Sequence, residues 1–116
     1  MKMKELVCEC DTLLRQYEAR MTKFGRTIVN VLKDIIPDLS FSLGWTEQGI
    51  DVICFWADER FYDTARPESL PQIIDEFVNQ VVPDKFFEIS APWGVWVTKE
   101  EAEEIRKRLR KLFEEG

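Results

Sequence analysis

The 116-residue chain predicts a single α+β domain in the order helix, β-hairpin, helix, β-hairpin, helix, with one mainly antiparallel sheet packed by helices. Three observations carry this expectation. Apolar residues recur in alternating steps of four and three through the first third of the chain. After Pro37 the period drops to two, and two later stretches at helical spacing each open on a capping motif.

The first third holds the strongest signal. Met3, Val7, Cys10, Leu14, Tyr17, Met21, Phe24, Ile28, Val31 and Ile35 trace a heptad seam, which Leu6, Leu13, Val29, Leu32 and Ile36 widen. Residues 1–36 therefore read as one long amphipathic helix that Pro37 stops, and 37–116 as the compact body of the same domain. The heptad phase crosses Gly25 without a skip, so the helix is expected to continue through it. At 1.5 Å per residue it would extend about 50 Å, far beyond a body with a radius of gyration near 13 Å. The protruding stripe needs a cover. That predicts a homodimer whose interface includes Val7, Cys10, Leu14, Tyr17, Met21 and Phe24.

Leu39, Phe41, Leu43 and Trp45 alternate with Ser40, Ser42 and Gly44, a strand with one apolar face and one small, polar face. Thr46-Glu47-Gln48-Gly49 reads as a four-residue hairpin loop into a return strand, Ile50 to Ala57. That strand is apolar on both faces near its end, which suits a central position, and Trp45 and Trp56 are expected in the core. Asp58 to Glu68 has no period and many charges, and reads as a surface loop. Ser69 with Gln72 forms a capping box for a helix with its stripe at Leu70, Ile73, Ile74, Phe77, Val78 and Val81, ended by Pro83. Lys85 to Ser90 and Val95 to Thr98 are short strands joined by the turn Ala91-Pro92-Trp93-Gly94. Thr98 and Glu101 make a second capping box, and Ala102, Ile105, Leu109, Leu112 and Phe113 give the last helix its apolar stripe.

Composition narrows the function classes. At 45% hydrophobic and 33% charged, the sequence is too apolar for a disordered segment and too charged for a membrane protein. No apolar run approaches the roughly 18 residues of a bilayer span. A cytoplasmic protein with no membrane partner is expected. The net charge of −6 is concentrated in the middle: residues 37–98 carry three Lys/Arg against eleven Asp/Glu. Such a field repels phosphate backbones, making nucleic acid an unfavourable partner and a protein with a basic surface a better one. The basic cluster Arg106, Lys107, Arg108, Arg110 and Lys111 is offset by i,i+4 carboxylates at Glu103 and Glu104, as on a solvated helix face.

Candidate chemistry is sparse. With no histidine, the usual zinc sites and the Ser-His-Asp and Cys-His sets are excluded. Cys8 and Cys10 would point about 200° apart on a helix, and with Cys54 they are expected to stay reduced, Cys54 reacting slowest. Trp93 at its turn, with Phe61 and Tyr62 in their loop, are candidate partner-binding aromatics. The segments Gly49-Ile50-Asp51 and Phe86-Phe87-Glu88-Ile89-Ser90 resemble the PD-(D/E)xK nucleases, and that resemblance would make Asp51 and Glu88 ligands of a divalent metal. Ser90 stands where those enzymes carry lysine, and a predicted helix separates the two strands. In element order and acidity the chain also resembles type III secretion chaperones, which are small acidic homodimers, though no motif is shared and their first helix is shorter. The favoured expectation is a noncatalytic interaction module (adaptor, inhibitor or chaperone-like) that uses no cofactor; the alternative is a metal-dependent phosphodiesterase using Asp51 and Glu88.

Overall fold

The computed structural model describes residues 3–8, 17–45, 51–58, 60, 62–90 and 95–115. The elements are α1 (Met3–Val7), α2 (Tyr17–Leu32), β1 (Ser40–Trp45), β2 (Asp51–Trp56), β3 (Glu68–Ser69), α3 (Leu70–Val81), β4 (Phe87–Ser90), β5 (Trp96–Val97) and α4 (Lys99–Glu115). The α+β class holds. The strands β1 and β2 and the helices α3 and α4 form where the sequence places them, while the expected hairpin loop at 46–49 and the turn at 91–94 lie outside the described residues.

The single long helix over 1–36 does not form. Helix α1 ends at Val7, whose carbonyl accepts from the Phe86 amide at 3.1 Å, and Cys8 makes an antiparallel bridge with Lys85. The Cys8 carbonyl accepts from the Arg20 guanidinium at 2.9 Å rather than continuing a helical ladder. Long-range partners thus replace the intrahelical ones. The molecule's longest dimension is 42 Å, so a helix of about 50 Å would have left one end uncovered. Breaking it lets Met3, Leu6 and Val7 from α1 and Met21, Phe24, Ile28 and Leu32 from α2 all bury in one core. Gly25 is not the break: α2 runs straight through it. Helix α2 stops at Leu32, before Pro37, and turns follow with Ile36 donating to the Leu32 carbonyl at 2.9 Å.

The second correction concerns the sheet. β1 and β2 pair antiparallel as expected, with Phe41 opposite Phe55 and Leu43 opposite Ile53. β4 does not pair with β5 in a second hairpin; it lies parallel to β2, Asp51 opposite Phe87 and Ile53 opposite Ile89. β5 instead pairs antiparallel with β3, making a separate two-stranded sheet. Helix α3 serves as the crossover from β2 to β4, a connection that parallel neighbours require. A four-residue gap permits a hairpin without forcing one. Here the apolar alternation of Phe87 and Ile89 is better satisfied beside Ile53 and Phe55, all four being buried.

Packing follows from these placements. Phe24 lies between the two strands, its ring 6.3 Å from that of Phe55 on β2 and 5.3 Å from that of Phe87 on β4. The next residue, Gly25, brings α2 against β1 so closely that a Cβ there would stand 2.6 Å from the Phe41 ring. Ser69 caps α3 by accepting from the Gln72 amide, although the Gln72 side chain turns to Glu76 and leaves that box half made. The box at α4 is complete, Glu101 donating its amide to Thr98 Oγ1 at 3.0 Å and accepting from the Thr98 amide at 2.9 Å. No described helix is long and apolar enough to cross a membrane.

Candidate functional site

The three-stranded sheet has two unlike faces. Ile53, Phe55, Phe87 and Ile89 point toward the helices and are buried. The opposite face, read across the register, carries Ser40 beside Trp56, Ser42 beside Cys54 and Ser90, and Gly44 beside Val52 and Glu88. Ser42, Trp56 and Glu88 are exposed and the others half-buried. Trp56 is 42% exposed, which corrects its expected place in the core. Its phase is that of Val52 and Cys54, opposite to Ile53 and Phe55, so strict alternation was the signal that could have found it. Cys54 sits on the same face, and burial pushes its thiol up from the ordinary cysteine value. Neither Cys8 nor Cys54 is in a disulfide.

Asp51 and Glu88 are not brought together. Asp51 pairs in register with Phe87, and its neighbour Val52 pairs with Glu88, so the two carboxylates project from opposite faces of the sheet. Asp51 is only 4% exposed with Oδ2 unbonded, and burial raises its carboxyl above the usual range, while Glu88 lies in solvent. Among the described residues no group of three or more potential ligands could hold a metal ion.

The expected interface residues Val7, Met21 and Phe24 are all buried in the chain's own core, at the places α1 and α2 give them. Tyr17 begins α2; Cys10, Leu14, Phe61 and Trp93 lie outside the described residues. Tyr62 is 59% exposed, its ring set edge-on to Trp96 at 4.7 Å.

Arg60, inside the expected surface loop, has a structural task that sequence reasoning missed. Its guanidinium donates to both carboxylate oxygens of Glu101, to the Ile35 carbonyl at 3.0 Å and to the Trp96 carbonyl at 3.3 Å. Arg106 and Arg108 of the basic cluster are likewise engaged, the first by Glu68 and the second by Asp34, Glu104 and the Val31 carbonyl. A groove between α3 and α4, with a volume of about 430 Å³, has Ile73, Phe77 and Phe113 on its floor and Lys4, Arg110, Glu76 and Glu114 on its rim. Its mixed charges favour neither sign of ligand. Comparison of the chain with family models, with curated proteins and with solved structures finds no match.

Proposed function

We propose that this chain is a noncatalytic protein-interaction module, acting as a homodimer and receiving its partner on the open face of the β1-β2-β4 sheet. The observation that supports the reading is Trp56, a large aromatic left 42% exposed amid the small side chains of Ser40, Ser42 and Cys54. Such a residue offers wide contact area at low entropic cost, the usual character of an interface anchor. Among the described strand residues, Glu88 is the sole charge on this face, and with the chain's net −6 it favours a partner with a basic surface. Because Val7, Met21 and Phe24 are used internally, the reading assigns recognition to the sheet and not to the N-terminal seam. It invokes no cofactor, and a cytoplasmic setting goes with the odd count of three cysteines in the sequence. The phosphodiesterase alternative gains no support from Asp51 and Glu88 on opposite faces.

A photo-crosslinking residue at Glu88 tests this against one at Lys107, on the exposed side of α4. A partner should be captured in the host from Glu88 and not from Lys107. Trp56→Ala should then weaken the purified complex by about tenfold or more, the scale of an aromatic anchor. Unchanged affinity would remove the sheet face from the interface.

A further inference from the structure

We infer that the outer edge of β1 pairs antiparallel with the same strand of a second copy, joining two three-stranded sheets into one of six strands. This rests on the homodimer part of the reading above and supplies its interface.

β1 stands at the end of the order β1-β2-β4, so no described strand takes the outward backbone groups of Ser40–Trp45. Exposed edges are normally blunted by charge, proline, a bulge or brevity. The segment Ser-Phe-Ser-Leu-Gly-Trp has six residues with no charge and no proline, whereas the other edge, β4, is four residues long and carries Glu88. The acid that precedes the strand, Asp38, is turned the other way: its carboxylate accepts from the Asp58 amide at 2.8 Å, on the β2 side.

Burial gives a second, independent indication. Phe41 and Leu43 share the helix-facing side with their register partners Phe55 and Ile53. Those partners are 0% exposed, yet Phe41 and Leu43 are only half-buried, so the apolar layer stops short at the β1 edge. A second copy completes it. With the twofold axis at Ser42, Phe41 faces Leu43 of the second copy on the helix side, and Ser40 faces its Gly44 on the open side. The pairing is self-complementary in backbone and in side chains, and the strand brings no like charges together despite the net −6 of each copy. A charge-free, self-matching edge therefore favours a second copy over a basic peptide.

Sedimentation of the full chain across about 1 to 200 µM, where mass action populates a moderate dimer, tests the assignment. The unmodified protein should approach twice the chain mass at the concentrated end and fall toward the chain mass on dilution. Ser42→Lys and Gly44→Lys should sediment at the chain mass, because lysine on an edge opposes pairing. Ser42 is exposed and a Cβ at Gly44 meets nothing within 4 Å, so both variants should keep the parent's circular dichroism. As a check that needs no variant, amide exchange over 40–45 should slow at least tenfold between the dilute and concentrated ends. Variants that stay dimeric, or exchange over 40–45 that does not change while the sedimenting mass doubles, would overturn the β1 edge and leave self-association standing. A parent that is monomeric throughout would overturn the edge and the homodimer together, while docking at Trp56 would still be judged by the crosslinking result.

Discussion

Arg60 grips both carboxylate oxygens of Glu101, at 3.0 and 3.1 Å, while Glu101 also accepts the Thr98 amide that begins α4. The same guanidinium reaches the Ile35 carbonyl beyond α2 and the Trp96 carbonyl of β5. One side chain, 14% exposed, thus ties three separate parts of the fold.

Arg60→Ala should therefore cost about 2–4 kcal/mol, since it leaves a half-buried carboxylate and two carbonyls without their donor. Arg60→Lys should recover only part, because an ammonium cannot reproduce the forked geometry. Burial pushes the Glu101 carboxyl up, but the hydrogen bonds from Arg60 and Thr98 outweigh it, and the net direction is down. A lowered carboxyl contributes its stability fully above its unfolded value and loses it as pH falls through the folded one. Urea unfolding should accordingly give a smaller Arg60→Ala deficit at pH 3 than at pH 7.

Gly25→Ala sets two effects against each other. Alanine gains about 1 kcal/mol of helix propensity over glycine. The new Cβ, however, would stand 2.6 Å from the Phe41 ring and force it to move. Overpacking of this kind costs about 1–3 kcal/mol, so a net loss of about 1 kcal/mol is expected. In a Phe41→Ala background the same change should become stabilising, and a double-mutant cycle by thermal unfolding measures the reversal.

Asp51→Asn should stabilise the protein at neutral pH by about 1 kcal/mol, by removing an unbonded charge from a buried site. Burial raises the Asp51 carboxyl, so the folded state holds its proton more tightly than the unfolded state does. Stability then falls as pH climbs from the ordinary aspartate value through the raised one, and the cost is complete above it. The advantage of the variant should vanish by pH 3. Equal urea midpoints for the two proteins at pH 7 would contradict this placement of Asp51.

Sequence reasoning succeeded where a residue's partner is near in the chain. Thr98 and Glu101 satisfy one another's backbone across a single helical turn, and Ser69 caps α3 from one side by accepting the Gln72 amide. The first pair of strands was legible because Leu39 to Trp45 alternates between apolar and small residues and an apolar return strand, Ile50 to Ala57, follows within reach of antiparallel pairing. The candidate site was less legible. Period two held the orientation of Trp56, but a run of apolar residues through Ile53, Cys54, Phe55 and Trp56 also describes a strand buried on both faces.

By itself, then, the sequence determined the α+β class, the caps, the first hairpin and which faces of α2, α3 and α4 are apolar, because these depend on spacing within a few residues. Only the tertiary structure decided that the first helix ends at Val7, that β4 joins β2 in parallel, that Arg60 becomes a clamp and that Asp51 and Glu88 face apart. Each of those outcomes is a competition between a local partner and a distant one. The heptad seam is equally satisfied by a partner helix or by folding back on its own core. The Val7 carbonyl found the Phe86 amide and Met21 and Phe24 found a common core, choices set by packing that no local period encodes.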